Sequence, residues 1–444
     1  MIPLPPGPGF RATFGLLKER RDPLRLFQNV ARDYGDVALL RFGPTKIVVL
    51  SHPDHVRWLL QDGAERYYKG WIYDSMRAVL GNGLISSDGA LWKKQRKLVA
   101  PAFHRAGLEK AVGEVVASAD AAFERWEALG EGGKSFDLHA ECLKLTLEIA
   151  VRALLGVRLD AGRQRAFIEI IDYAVGCSNR RLMSPLPLPM RVPTPANIRL
   201  RRSVRRLDEL IYEMMDGRDR AEGAGDLLSL LLATRDEDGQ PMPRRQVRDE
   251  VVTMMVAGYE TSSAALAWCF SLLARHPEVR AKLAEEAARA PETPSFESSL
   301  ALPYANAVLE ESMRLYPPAW LYGRHAARED EIGGFRIPKG AITVVSPYVV
   351  HRDPRFWSDP ETFRPERFLS KAEPRHRFAY IPFSAGPRQC LGMGFAMLEM
   401  TIILSRAVRR FELALSPDAS LETAPRVALE PRHGIRVMLT PTKR

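Results

Sequence analysis

Apolar residues recur at helical spacing between residues 22 and 34, marking an amphipathic helix early in the chain. Two short β-rich runs follow, 37–42 and 46–50, and Gly43-Pro44 between them reads as the turn of a hairpin. From residue 91 to about residue 315 the helical spacing dominates. Loops are expected near residues 63–90, 130–135, 185–195, 223–225 and 236–243. The run Ser184-Pro-Leu-Pro-Leu-Pro-Met190 cannot be regular helix, because each proline removes a backbone donor and clashes with the preceding turn. Beyond Pro317 the pattern changes to short strands and turns, at 332–337 and 341–350. One more helix is expected from Leu391 to about Arg410, and then a β-rich tail. No internal repeat is present. The pattern is mainly α with a minor β portion, arranged as one large domain over residues 1–444 behind a proline-rich lead at 1–20.

Residues 251–274 form a run of 24 with a single charge, Glu260, long enough to span a bilayer. A carboxylate near the centre of a span costs about 2.5–3.5 kcal/mol on insertion scales, and hydroxyls surround this one. The run is therefore read as a long, buried central helix. At the N-terminus, prolines interrupt any apolar stretch, so neither a signal peptide nor a membrane anchor is expected.

Composition narrows the class. The 444 residues are 46% hydrophobic, enough to build a packed core and to exclude low-complexity disorder. The four cysteines, Cys142, Cys177, Cys269 and Cys390, show no CxxC spacing. Neither a disulfide framework nor a cysteine-rich zinc site is expected, and a soluble, cytoplasmic protein is. The net charge of +10 comes without a long basic run, zinc finger or RNA-binding aromatic signature, so nucleic acid is not an expected partner. A local cluster, Lys93, Lys94, Arg96 and Lys97, suggests an acidic protein partner instead.

The most informative chemistry lies in Phe383-Ser-Ala-Gly386-Pro-Arg388-Gln-Cys390-Leu-Gly392, entering the last helix. A cysteine at a helix N-terminus has its thiolate favoured by the dipole and the unpaired N–H groups. Such a thiolate is a soft ligand for haem iron. Gly386 can take a positive φ and allow a close approach of a flat cofactor. Phe383 offers a ring beside the sulfur, and Arg388 a fork for a carboxylate. The bland alternative is a buried structural cysteine. By composition, chance agreement at these offsets is on the order of one in ten thousand.

Two other clusters carry chemistry. In Ala257-Gly258-Tyr259-Glu260-Thr261-Ser262, Gly258 opens room beside the backbone, and Thr261 can bond the carbonyl of Ala257. An acid beside an alcohol in an apolar helix suits proton delivery to a bound dioxygen. Glu311 and Arg314 share a helix face; as an exposed pair they would contribute only about 0.2–0.5 kcal/mol.

The cysteine segment resembles the haem-binding loop of the cytochrome P450 monooxygenases, and the family's other signatures appear in family order. The resemblance implies the cytochrome P450 fold, with its long central helix over a buried haem b whose iron Cys390 ligates. It implies that Glu311, Arg314 and Arg367 form a structural triad, Arg367 lying in Phe363-Arg-Pro-Glu-Arg-Phe368. It makes Gly258, Glu260 and Thr261 the oxygen-activation motif, with glutamate where many members carry aspartate. Trp92 and Arg96, one turn apart, would bond a haem propionate, and Arg324 would be a further propionate partner, although no fixed motif places it. Phe383, Gly386, Arg388 and Gly392 complete the cofactor loop.

The implied reaction inserts one oxygen atom of O₂ into a lipophilic organic substrate. About 50 residues follow the loop, so no reductase domain is expected, and electrons would come from an acidic ferredoxin or flavodoxin with its reductase. The cluster around Lys93–Lys97 would be the docking surface. A haem-thiolate peroxygenase or isomerase, or a non-catalytic haem sensor, would share Cys390 but would not need Glu260 and Thr261. Segments 67–85, 170–187, 252–257 and 319–322 are the expected pocket walls. They leave open whether the substrate is a fatty acid, a terpenoid or a steroid-like molecule.

Overall fold

A computed structural model describes residues 2–9, 22–183, 192–218, 226–235, 239–369 and 375–442. The helix break expected at 184–190, the loop at 223–225, most of the proline-rich lead and the end of the 170–187 segment lie outside these. The helices used below are α1 (Pro23–Tyr34), α2 (Asp74–Leu80), α3 (Gly89–Val99), α4 (Arg105–Gly130), α5 (Leu138–Ile149), α6 (Arg244–Arg275), α7 (Pro303–Leu315) and α8 (Met393–Arg410). The chain divides into two compact units.

The first unit comprises residues 1–70, 310–390 and 423–430. Its α1 begins where expected: the Asp22 carboxylate accepts the Arg25 N–H at 3.2 Å, and Pro23 opens the first turn. Strands β1 (Val37–Phe42) and β2 (Thr45–Leu50) form the expected hairpin, with Val37 opposite Leu50. They join β3 (Tyr67–Tyr68), β4 (Tyr322–Ala326) and β5 (Ile342–Val345) in a sheet of order β1-β2-β5-β4-β3. Only the β2–β5 pair is parallel. The sheet's core, including Leu39, Val48, Leu50, Tyr322 and Val345, extends to Phe378, Ile381 and Ala385, so the segment leading to Cys390 rests on the sheet.

The structure sharpens the reading of this unit at three places. The run 332–337 is a hairpin, Asp330–Ile332 with Phe335–Ile337, turning at Gly333 and Gly334, both at positive φ. The run 341–350 is strand only to Val345; Pro347 starts a helical turn to Val350. Strand β4 was not expected, because all five of its residues are buried and Gly323, Arg324 and His325 mask any alternation.

The second unit comprises residues 71–309, 391–422 and 431–444. Within the loop expected at 63–90, Asp74–Leu80 is helical. Helix α4 packs on α8 through Arg406 with Asp120 at 2.6 Å and Arg410 with Glu127 at 2.6 Å. Nearby, Trp126 is fully buried among Phe123, Phe136, Phe270 and Phe411. The tail is β-rich as expected: Arg436–Pro441 pairs with Phe411–Leu415 on one side and Phe136–Asp137 on the other in a three-stranded sheet. Helix α6 is the expected long central helix, 32 residues that are buried on nearly every side. Among the described residues no helix is long and apolar enough to cross a membrane. Helix α8 starts at Met393, two residues later than expected, because Leu391 and Gly392 form a turn with Gly392 in the capping position.

Candidate active site

The loop that carries Cys390 is held at several points within the first unit. The Ile381 N–H donates to Nε2 of His351 at 2.8 Å. The Tyr322 hydroxyl faces the carbonyls of Ile381 and Pro382, 3.0 Å from each, and accepts the Ser384 N–H at 2.9 Å. Ser384 takes φ 60° and Gly386 φ 65°. The first is uncommon for a residue with a Cβ. The second requires glycine twice over, since a Cβ at 386 would stand 2.0 Å from the Leu60 carbonyl oxygen. The close approach expected of Gly386 toward a cofactor is thus made to the Leu60 backbone. A 3₁₀ turn, Gly386–Arg388, follows, and the Cys390 N–H closes the loop on the Phe383 carbonyl at 2.9 Å.

Cys390 is exposed, whereas Cys142, Cys177 and Cys269 are buried. Burial pushes the Cys142 thiol well above its ordinary range. Phe383 and Arg388 are half-buried. The late start of α8 places Cys390 two residues ahead of the capping Gly392, where it was expected directly before a helix beginning at Leu391.

Glu311, Arg314 and Arg367 meet in the interior of the same unit, none more than 1% exposed, so the weak exposed pair is not what forms. Arg314 reaches both Glu311 oxygens, at 2.7 and 2.8 Å, and Arg367 reaches Oε1 at 3.0 Å. The remaining donors satisfy backbone carbonyls. Arg314 donates to His351 O at 3.0 Å, Pro360 O at 2.6 Å and Thr362 O at 3.1 Å, and Arg367 donates to Ser358 O at 2.8 Å. Burial and the Arg314 charge hold His351 well below its ordinary range, so its ring is neutral and Nε2 is free to accept from Ile381. A continuous series of hydrogen bonds therefore runs from Glu311 through Arg314 and His351 to the start of the cysteine loop. Sequence reading missed Tyr322 and His351; nothing local distinguishes either residue. Arg324 lies buried in β4 and donates to Gly323 O at 2.8 Å.

The other candidates belong to the second unit. On α3, Trp92 is buried, and the Arg96 guanidinium lies 5.7 Å from its ring centroid. Lys93, Lys94 and Lys97 face outward. On α6, Thr261 donates to Ala257 O at 2.8 Å as expected. Thr146 lies 2.8 Å from Tyr259 O, and Ser263 donates to Glu260 O at 2.9 Å, so three carbonyls in one stretch are drawn off the helix axis. An added Cβ at Gly258 would meet that of Ala150 at 3.4 Å, so this glycine's open side is bounded by a neighbour. Glu260 is buried.

From Val247 to Leu273, every α6 residue is buried except Ala257, Gly258 and Thr261, which are half-buried. These three lie on one face at i, i+1 and i+4, the one opening in an otherwise enclosed stretch. Glu399 of α8 was not singled out from the sequence. Burial pushes it up to about 8, and the Ser262 hydroxyl offsets only part of the shift. A lone carboxylate among Phe395, Leu398, Ile402 and Ile403 was the available signal.

A family model described as cytochrome P450 matches residues 5–437. Cyclooctat-9-en-7-ol 5-monooxygenase of Streptomyces melanosporofaciens is 34% identical over 410 residues, covering 90% of this chain and 87% of that one. Cyclooctatin synthase of the same organism is 32% identical, covering 92% and 89%. Pentalenene oxygenase of Streptomyces avermitilis is 31% identical, covering 95% and 93%. With one family model running from residue 5 to residue 437 and monooxygenases among its relatives, this chain belongs to the cytochrome P450 family of haem-thiolate monooxygenases.

Proposed function

We propose that Cys390 supplies the axial thiolate to a haem b, and that the chain oxygenates a lipophilic, cyclic terpenoid-like substrate. The observation that carries the first part is the loop: one exposed thiol, on a backbone fixed by Tyr322, His351 and the Leu60 contact at Gly386. A single soft sulfur donor on a pre-shaped loop fits thiolate ligation of haem iron. When bound, thiolate-ligated haem supplies the activation of dioxygen, sulfur donation favouring O–O cleavage.

The chain's own residues do the rest. Arg388, Arg324 and the Trp92–Arg96 pair would bond the propionates, and Phe383 would pack beside the sulfur, with Gly392 leaving space next to it. Thr261 and Glu260 would serve proton supply. The Thr261 hydroxyl donates to Ala257 O, which leaves its lone pairs able to accept from a water, and the Glu260 carboxyl lies buried beside it in sequence. Support for the substrate class comes from the relatives named for cyclooctatin and pentalenene chemistry, and from the apolar Met254 on the helix face of the α6 opening.

The family requires a redox partner. We assign that role to a separate acidic ferredoxin or flavodoxin, docking at the outward-facing lysines of α3. Four cysteines outside any disulfide support a reducing, cytoplasmic location. We treat residues 1–444 as one catalytic domain, since the family model passes through both units.

Carbon monoxide tests the ligand. The reduced complex should show the far-red-shifted Soret band of thiolate ligation, retained in Cys142→Ala, Cys177→Ala and Cys269→Ala and lost in Cys390→Ala. Retention of the band in the Cys390 variant would remove the assignment.

A further inference from the structure

Residues 81–87, between α2 and α3, are neither helix nor strand, so their backbone groups need partners from elsewhere. Two adjacent acids near the start of α6 provide them. Asp249 accepts the Asn82 N–H at 2.8 Å, and Glu250 accepts the Leu84 N–H at 3.0 Å. Gln246 bridges the two sides, donating to Glu250 Oε1 at 2.9 Å and to Asn82 O at 3.3 Å. Gln95 adds a bond to Asn82 O at 2.6 Å, and Arg77 holds Ser86 O at 2.8 Å. The contact is as close as backbone permits: a Cβ at Gly83 would stand 2.0 Å from Thr253 Oγ1 and 2.5 Å from Asp249 O. Glu250 is fully buried and Asp249 nearly so.

The position of this grip matters more than its strength. Glu250, Met254, Ala257 and Thr261 follow i, i+4, i+7, i+11 spacing and so form one stripe of α6. Ala257 lies two turns, about 10 Å, beyond Glu250 along that stripe. The gripped segment therefore flanks the opening at Ala257, Gly258 and Thr261. Ile85 within it is half-buried.

We propose that Glu250, seconded by Asp249, is a positioning residue for substrate: it fixes residues 82–85 as a wall beside the α6 opening, and its protonation loosens that wall. The proposal rests on the reading that this opening faces bound substrate. An ionised Glu250 accepts the Leu84 N–H and the Gln246 amide with charge assistance, and a neutral carboxyl accepts them less strongly. Burial pushes Glu250 up to about 7 and the Asp249 charge adds to this, while the Leu84 N–H and Gln246 oppose it. The other charges around the cluster are Arg248, paired with Asp208 and Asp249 and bonded to Val79 O, and Arg77 of α2, bonded to Ser86 O of the gripped segment. The grip is thus tight above neutral pH and relaxes below it.

The test uses the holoenzyme with two iron-binding probes, clotrimazole, which is bulky, and pyridine, which is small. Amide exchange of residues 79–87 is followed in parallel. Comparing parent with Glu250→Gln at each pH cancels the titration of the probes themselves. From pH 8 to pH 6 the clotrimazole affinity of the parent, relative to Glu250→Gln, should fall about tenfold, the scale of one charge-assisted hydrogen bond. The pyridine ratio should stay constant. Protection of 79–87 should fall with pH in the parent, stay level in Glu250→Gln, and be low throughout in Glu250→Ala. Equal protection in parent and Glu250→Gln at every pH would overturn the grip. Protection that follows Glu250 while clotrimazole affinity does not would overturn the substrate role and count against the α6 opening as the substrate face. A normal carbon monoxide band in the same samples would leave the Cys390 ligation intact, so the two failures are distinguishable.

Discussion

Thr261 spends its hydroxyl hydrogen on the Ala257 carbonyl, which leaves its lone pairs to hold a water at the one opening of α6. Removing that hydroxyl should not disturb Cys390 or the apolar walls. Thr261→Ala should therefore bind substrate normally while product formed per NADPH falls about tenfold and peroxide rises, within the range of general-acid contributions. Glu260→Gln should slow turnover, and added peroxide should restore much of it; unchanged coupling in both variants would make this ordinary core helix. Glu399 predicts a stability effect. Its carboxyl is raised to about 8 from an ordinary 4.5, so the folded protein holds that proton more tightly than the unfolded chain. Its contribution is fully present below pH 4.5 and is lost as pH rises toward 8. Between pH 5 and 8, Glu399→Gln should gain roughly 2–4 kcal/mol on the parent in denaturant titrations, and parallel curves would contradict this. The contacts of Thr261 with Ala257 and of Glu311 with Arg314 were legible in the sequence because each needs a residue type at a fixed offset. Glu399, Tyr322 and His351 were not, since each acquires its role only from partners tens or hundreds of residues away.

Elements were legible where one pattern dominated. Asp22-Pro23 announced α1, Gly43-Pro44 announced the β1–β2 hairpin, and the apolar run announced α6. Strand β4 escaped because burial on both faces erases alternation, and the Asp330–Ile337 hairpin escaped because its glycine turn sits inside one apolar run. The segment 351–362 has little regular structure and is held instead by the guanidiniums of Arg314 and Arg367. Glu311→Ala leaves both without their carboxylate in the interior, a loss of about 3–5 kcal/mol and a large share of a domain's stability. We expect that variant to lose haem and fold, seen as a lower melting temperature and a low haem-to-protein ratio. Tyr322→Phe removes only the hydroxyl's hold on residues 381–384. It should fold, cost about 1–3 kcal/mol through the unsatisfied backbone groups, and hasten loss of the thiolate-type carbon monoxide band. A stable, haem-replete Glu311→Ala with only a kinetic defect would contradict the supporting role of the triad.

At the scale of the whole molecule the surface is basic, +10 in net charge, yet many of its guanidiniums are committed to carboxylates: Arg105 to Glu109, Arg355 to Asp36, Arg406 to Asp120, Arg410 to Glu127. Such pairs contribute little field at a distance. On helix α3, Lys93, Lys94 and Lys97 project outward around the buried Trp92. Three ammonium groups within five residues give a local positive field that an acidic electron donor would follow to the surface. At low salt that field reaches beyond the first contact; at about 0.15 M salt the Debye length is about 8 Å and much of the steering is lost. Reversing all three charges, Lys93→Glu, Lys94→Glu and Lys97→Glu, should slow first-electron transfer from an acidic ferredoxin by about tenfold or more at low salt, with a smaller effect as salt rises. Substrate affinity and the carbon monoxide band should be unchanged, because the three lysines are exposed on α3 whereas Trp92 of the same helix is buried. Stopped-flow reduction across a salt series reads both arms at once. A rate indifferent to the reversal, with salt dependence intact, would move the electron donor's docking surface away from α3.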